Sequence, residues 1–236
     1  MFTGGSALPA RRYPQGPPEY GEVGVGRDDG KTVGEYSAIL YLSDRYCADE
    51  EGTFWFSETP EIPGSKDWGN SIPRICTWMR LVEKASGHSF YVYNVHLDHV
   101  SQLSREKSVV LLSERIQNRE HPDLVVVIGD FNAGEENPAL VYLKREVCVG
   151  HDDDHRSWNT LPLLDTYRVL HADASDVGTS HGFRGDRTGE KIDYIFAPVN
   201  VRVLEAEIVY SEQGGRYPSD HFPVIARLHL PTLPAQ

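Results

Sequence analysis

Short apolar runs alternate with Gly, Pro and Asp along most of the chain, a pattern typical of β-strands joined by tight turns. The strand-like segments are, in chain order, EYSAILYLS, TFWF, ICTWMRLVE, FYVYNVHLDH, DLVVVI, KIDYIFAP, VRVLEAEIVY and FPVIARLHL. We expect the second, third and fourth of these to be successive strands of one antiparallel sheet. DLVVVI is apolar on both faces and predicts a strand buried between layers.

A helical pattern appears in SQLSREKSVVLLSERIQN, where Val109, Leu112 and Ile116 form an apolar stripe. Ser101 is placed to cap the start of this helix, and Pro122 lies just beyond its end. A weaker helix is predicted around residues 137–147. This mixture of buried and half-buried strands with few helices predicts an α/β (α+β) fold, in which two mixed sheets pack together with helices outside.

One domain is expected over residues 21–231, preceded by a poorly structured Gly- and Pro-rich arm at 1–20. GVGRDDG resembles a phosphate-binding glycine loop but lacks the G-x-G-x-x-G spacing and the strand-turn-helix context. The segment HDDDH, residues 151–155, is interpreted as a solvated acidic loop rather than a metal site, because adjacent side chains diverge. Cys47, Cys76 and Cys148 are too far apart to form a zinc or redox motif.

The formal net charge of −12 makes the chain a poor general DNA clamp, since phosphate neutralisation supplies most of such affinity. Phosphate esters remain accessible as substrates if a divalent cation supplies positive charge locally. No apolar run approaches the length of a membrane span, and no secretory signal is evident. We therefore expect no stable membrane insertion and take the cytoplasm as the default location; the oligomeric state stays open.

Candidate chemistry lies at the ends of strands. In FYVYNVHLDH, Asn94, His96 and Asp98 share one face, opposite an apolar face. In VVVIGDFNA, Gly129 lets the chain turn and present Asp130 and Asn132, which suits holding a phosphate oxygen or a water near a metal. The alternative is a turn in which the Asp and Asn stabilise their own backbone.

Two further motifs follow in the C-terminal third. Asp193 in EKIDYIF stands between large apolar residues, a costly position for an unpaired charge. Asp220 and His221 in RYPSDHFPV immediately precede a strand that contains a proline. Acids, an amide and two histidines at strand ends fit metal-assisted phosphate chemistry better than a serine or cysteine nucleophile.

The ordered set EYSAILY, NVHLDH, GDFNA, KIDYIF and SDHFPV resembles the endonuclease/exonuclease/phosphatase superfamily over about residues 20 to 230. The resemblance implies a deoxyribonuclease-like, four-layered sandwich and two acid–histidine pairs, Glu35 with His96 and Asp193 with His221. A carboxylate behind an imidazole orients it and stabilises its charged form, so that one histidine can take a proton from water while the other contacts the phosphate.

The same resemblance implies further roles. Asp130 and Asn132 would orient the phosphate and the attacking water, and Asp220 together with Asp130 would bind Mg²⁺, with Mn²⁺ as a substitute. Arg74 is a candidate phosphate contact, and a surface salt bridge is the equal alternative.

One departure from the family pattern concerns the N-terminal part, where members have a strand-helix-strand unit ending in Gln-Glu. No Gln-Glu pair occurs in this chain, so we expect the fold to lack that first unit and its metal-binding Glu. The predicted activity is hydrolysis of phosphodiesters or phosphomonoesters in small molecules, nucleotides or short single-stranded nucleic acid. The alternatives are a phospholipid or sphingolipid phosphodiesterase, and an inactive fragment that acts as a binding module.

Overall fold

The computed structural model describes residues 19–144, 159 and 161–231. Nearly all of the predicted N-terminal arm, the HDDDH segment and the last residues of the helix expected at 137–147 lie outside this part of the chain. The described elements are β1 (Tyr20–Val23), β2 (Ile39–Leu42), β3 (Tyr46–Trp55), β4 (Ile75–Glu83), β5 (Ser89–His96), α1 (Gln102–Gln117), β6 (Leu124–Asp130), α2 (Pro138–Leu143), β7 (Leu163–Asp165), α3 (Thr166–Leu170), β8 (Asp193–Pro198), β9 (Arg202–Ile208) and β10 (Val224–His229).

The centre of the fold is a six-stranded mixed sheet with the strand order β3-β4-β5-β6-β8-β7. Strands β3, β4 and β5 pair antiparallel, as the sequence predicts. Strands β5 and β6 pair in parallel, and α1 makes the crossover that such a pair requires. Because β6 and β8 are antiparallel, the first residue of β8 lies beside the last residue of β6.

Helix α1 packs against one face of this sheet. The Ser101 side chain accepts a hydrogen bond from the Ser104 backbone amide, which confirms the predicted cap. Val109, Leu112 and Ile116 are at most 2% exposed and join the main core cluster. Burial of each such side chain contributes roughly 1.5–3 kcal/mol, so this stripe rather than helix propensity fixes the position of the helix.

The other face of the central sheet is covered by two antiparallel strand pairs, β1–β2 and β9–β10. Val23 and Ile39 pack on Met79 and Leu81 of β4, which anchors the first pair. The fold class is therefore confirmed, with the second sheet present as two separate pairs.

A cavity of about 310 Å³ lies on this same face of the sheet, lined mainly by the end of β6, the start of β8 and the segment 219–224 that leads into β10. Its polar wall consists of Asn94, Asp130, Asp193, Ser219 and His221. The strand ends that carry candidate chemistry therefore face a concave space rather than a flat surface.

Candidate active site

Three adjacent strands bring three candidate residues together at the same end of the central sheet. His96, the last residue of β5, is the register partner of Asp130, the last residue of β6. Asp130 in turn pairs with Asp193, the first residue of β8. The predicted gathering of these side chains follows from the parallel pairing of β5 with β6 and the reversed direction of β8.

His221 is tightly paired with Asp193. Its Nδ1 lies 2.8 Å from Asp193 Oδ2, and both side chains are about one quarter to one fifth exposed. The hydrogen bond that His221 donates to Asp193, with the charges of Asp193, Asp130 and Asp220, raises the pKa of His221 to about 9 against the opposing effect of burial. In the metal-free protein this imidazole is therefore charged at neutral pH and fixed in orientation.

His96 lies between two carboxylates without a close hydrogen bond to either. Its Nδ1 is 3.7 Å from Glu35 Oε2, and its Nε2 is 3.6 Å from Asp130 Oδ2. Burial, together with the positive charges of Arg74 and Arg27, lowers the pKa of His96 to about 3. This imidazole is therefore neutral at physiological pH.

The turn after β6 agrees with both interpretations of GDFNA: it presents Asp130 at the end of the strand, and its Asp and Asn also stabilise their own backbone. Gly129 has φ +128°, and a Cβ at this position would lie 2.0 Å from the Val95 carbonyl oxygen, so the close approach of β5 requires glycine. Asn132 has φ +46°, its amide donates to Asp130 Oδ1 at 2.8 Å, and its side-chain nitrogen donates to the Leu97 carbonyl at 3.0 Å. One carboxylate oxygen of Asp130 thus holds the turn while the other faces His96.

The carboxylates of Asp130 and Asp193 are close enough to repel each other. Burial, together with the charge of Asp193, raises the pKa of Asp130 to about 6. One ligand atom from each of Asp130, Asp193 and His221 can be chosen so that all lie within 4.8 Å of one another. Oxygen ligands suit Mg²⁺ or Mn²⁺, and a divalent cation would relieve this repulsion, so the donor set fits such an ion.

Asp220 is not part of that group. It is exposed, its carboxylate accepts only a 3.3 Å bond from Ser219 Oγ among the described residues, and its carbonyl accepts from the amides of His181 and Gly182. Its predicted metal role stays a prediction. What the structure does show is that its backbone fixes the position of His221 next to it.

Arg74 is 3% exposed, and its Nε donates to Asp98 Oδ2 at 3.2 Å. Its salt bridge is therefore buried, and a second nitrogen lies 2.5 Å from His99 Nδ1. The guanidinium of Arg74 is therefore already paired with side chains of the protein itself. Its predicted contact with the phosphate stays a prediction.

Arg27 is a residue that the sequence did not single out. Its Nη1 lies 2.5 Å from Glu35 Oε2, the same oxygen that faces His96. Nε and Nη1 are buried and make no well-directed hydrogen bond among the described residues. The signal available in the sequence was GVGRDDG, which folds here as a loop closed by the amide of Arg27 on the Glu35 carbonyl at 3.0 Å rather than as a phosphate-binding turn.

A mixed central sheet with helices on one face and paired strands on the other is the deoxyribonuclease-like fold. The model of the Endonuclease/Exonuclease/phosphatase family matches residues 7–221, and the chain belongs to this family. A family member from Bacteroides vulgatus is 34% identical, with a TM-score of 0.78, over 90% of this chain and 77% of that one. A mannosyl-6-phosphatase from Bacteroides thetaiotaomicron is 32% identical, with a TM-score of 0.72, over 89% of this chain and 77% of that one.

An uncharacterized protein of Acanthamoeba polyphaga mimivirus is 34% identical over 102 residues, which are 42% of this chain and 37% of the viral protein. The match thus spans well under two thirds of that relative. Among the described residues, no helix combines the length and apolarity needed to cross a bilayer.

Proposed function

We propose that this protein is a divalent-metal-dependent phosphoesterase that hydrolyses small phosphate esters by attack of water on phosphorus. The observation that carries the proposal is the meeting of Asp130, Asp193 and His221 within 4.8 Å at one end of the central sheet, with His96 beside Asp130. Asp130, Asp193 and His221 line one cavity, and His96 lies beside Asp130, so the group supplies both a cation site and proton-transfer groups.

Asp130 and Asp193 would hold the cation, which is Mg²⁺ or Mn²⁺. When bound, the cation acts as a Lewis acid that offsets the charge developing on the phosphoryl oxygens. The two aspartates face the cavity from neighbouring strands together with His221. His96 contributes from beside the cavity, with its Nε2 3.6 Å from Asp130 Oδ2.

His221 is the proposed proton acceptor. Asp193 holds its Nδ1 at 2.8 Å and fixes its orientation. A cation held by Asp130 and Asp193 would oppose the charge of the neighbouring imidazolium, so that Nε2 would become free to take a proton from the attacking water. His96 stays neutral and hydrogen-bonds the phosphate, supported by Glu35. Asn132, two residues after Asp130 in the same turn, would orient the phosphate or the water through its side-chain amide. Asp220, the exposed neighbour of His221, would contact the cation or its waters.

A phosphomonoester of a small polar molecule is the substrate class we place first. The relative named a mannosyl-6-phosphatase shares 32% of aligned residues and the same fold. The net charge of −12 also favours a small ester or nucleotide over long duplex nucleic acid. The aromatic run that could have served lipid binding is core: Phe54, Trp55 and Phe56 are 1%, 4% and 0% exposed.

Hydrolysis of p-nitrophenyl phosphate and of its bis-ester, with Mg²⁺, with Mn²⁺ and with a chelator, tests the proposal. We expect cation-dependent turnover that His221→Ala and Asp130→Asn abolish, with the monoester preferred. His88→Ala, which changes an exposed histidine in the turn between β4 and β5, serves as the matched control and should keep full activity. Wild-type turnover in all three variants would overturn the assignment of the site, and no turnover by the wild-type protein would leave a binding module as the better assignment.

A further inference from the structure

The polar turn after β6 carries an acidic residue, Glu135, that the proposed chemistry does not use. Its carboxylate is about one quarter exposed and is gripped from two directions. Arg168 Nε donates to Oε1 and Arg168 Nη2 donates to Oε2, each at 2.7 Å, which makes a bidentate pair. The ammonium of Lys191 lies 3.8 Å from Oε1.

Both cations are themselves fixed to the frame of the fold. Arg168 Nη1 donates to the carbonyls of His171 at 2.9 Å and Ala174 at 2.8 Å, at the end of α3. Lys191 has no exposed side-chain surface, and its Nζ donates to Asp165 Oδ2 at 2.6 Å. Glu135 is therefore tied to α3 and to the segment that leads into β8.

A second contact ties the same turn to β8. The Tyr194 hydroxyl lies 3.1 Å from the Ala133 carbonyl and 2.6 Å from the Lys191 carbonyl. Its ring lies under the Lys191 ammonium, 3.4 Å from the centroid. The turn that carries Asp130 and Asn132 is thus fastened to the strand that carries Asp193 at two points beyond the sheet hydrogen bonds.

Such a network is costly to bury. Removing a lysine and two carboxylates from water costs several kcal/mol per ion, and well-packed apolar residues often serve stability as well or better. What ion pairs supply beyond apolar packing is direction, because a bidentate Arg–carboxylate pair fixes both position and angle. Displacement of a reacting group by about 1 Å costs on the order of 100-fold in rate.

We propose that Glu135 is a positioning residue, which through Arg168 and Lys191 holds the turn so that Asp130 faces Asp193 and His221. The expected change in kcat rests on the proposed function. The expected local order of the turn does not.

Glu135→Ala tests the proposal against Glu136→Ala, since Glu136 is the exposed neighbour and its loss changes the net charge equally. We expect Glu135→Ala to lower kcat about 10- to 100-fold with KM changed less than about threefold, and Glu136→Ala to leave both near wild type. Glu135→Gln keeps one acceptor for Arg168 and should recover part of kcat. Hydrogen exchange of residues 129–136 should rise in Glu135→Ala alone, with exchange in β3 and β4 unchanged.

Removing the buried charge of Lys191 leaves the carboxylate of Asp165 unpaired, which destabilises the fold. A double variant that also neutralises Asp165 therefore distinguishes an effect on stability from an effect on the position of the turn. Lys191→Met alone leaves Asp165 uncompensated and should lower Tm, whereas Lys191→Met/Asp165→Asn should regain most of Tm and still show raised exchange in the turn. Wild-type kcat and wild-type exchange in Glu135→Ala would overturn the inference. If the wild-type protein hydrolyses no ester, the proposed function fails, and the exchange comparison of Glu135→Ala with Glu136→Ala still decides whether Glu135 anchors the turn.

Discussion

The two acid–histidine pairs of the site are built differently, although the sequence motifs make them look equivalent. His221 Nδ1 is 2.8 Å from Asp193 Oδ2, whereas His96 Nδ1 is 3.7 Å from Glu35 Oε2. The first carboxylate is 20% exposed and the second 63% exposed. One histidine consequently has its pKa raised to about 9 by its carboxylate, and the other has its pKa lowered to about 3 by burial and nearby arginines.

The difference arises from where each carboxylate stands in the fold. Asp193 opens a strand of the central sheet, so the ladder with β6 fixes its backbone. Glu35 stands on the loop before β2 and shares one oxygen with Arg27. A carboxylate that is exposed and already neutralised supports an imidazole weakly. One pair is therefore suited to proton transfer, and the other to presenting a neutral hydrogen-bonding ring.

Breaking the tight pair, Asp193 with His221, should have the largest effect on activity. Asp193→Asn keeps the shape of the side chain and removes the charge that stabilises the imidazolium, so we expect kcat for p-nitrophenyl phosphate to fall by about 10³- to 10⁴-fold. Steady-state kinetics at saturating Mg²⁺ measure it, and a circular dichroism melt checks the fold. A loss smaller than tenfold would show that His221 does not depend on its carboxylate.

The tight pair should also stabilise the fold in a pH-dependent way. The pKa of His221 is about 9 in the folded protein, above its ordinary value of about 6.5. A raised histidine pKa contributes stability that is complete below about pH 6.5 and is lost as pH rises through about 9. Asp193, Asp130 and Asp220 are the charged groups that cause the rise.

Urea unfolding of the metal-free protein, with and without His221→Gln, tests this linkage. The free-energy difference between the two proteins should shrink by on the order of 2 kcal/mol from pH 6.5 to pH 9.5, after allowance for solvent screening of a partly exposed pair. A difference that stays constant over this range would mean that the pair is absent in solution.

Local pattern was enough to find the residues of the tight pair. Asp193 stands out because it interrupts a run of large apolar residues, and His221 because it follows Asp220 at a strand start. The strand FYVYNVHLDH likewise reveals which face His96 occupies. These signals lie within single segments of the chain, so they can be recognised without knowing which segments pack together in the fold.

The contacts of the loose pair, Glu35 with His96, and those of Arg74 and Glu135 could not be predicted from local sequence pattern. The link from Arg27 to Glu35 depends on a loop closed by the amide of Asp28 on the Val33 carbonyl at 3.0 Å, and no periodicity marks it. The burial of Arg74 depends on Asp98, a residue 24 positions later. The anchoring of Glu135 by Arg168 joins elements 33 residues apart. Pairings of this kind are set by tertiary packing and not by local propensity.

Weakening the loose pair should have a modest effect. Glu35→Gln removes a carboxylate that is exposed and shared, so we expect kcat to fall only about fivefold, the scale of a weak, screened ion pair. Glu51→Gln, an exposed glutamate on β3, is the matched control and should match wild type. If Glu35→Gln lost as much activity as Asp193→Asn, the two pairs would be functionally equal and the contrast drawn from their geometry would be wrong.

The smallest expected change concerns the sharing of Glu35. Arg27→Met removes a positive charge near His96 and frees the oxygen that Arg27 now contacts, and both changes favour the imidazolium. The pKa of His96 should therefore rise from about 3, while that of His221 stays near 9. Titration of imidazole signals by NMR in the metal-free protein measures both values. Lys31→Met removes an exposed charge from the same loop and should leave His96 unchanged; if both variants shift His96 equally, general loss of positive charge rather than the Arg27–Glu35 contact sets its pKa.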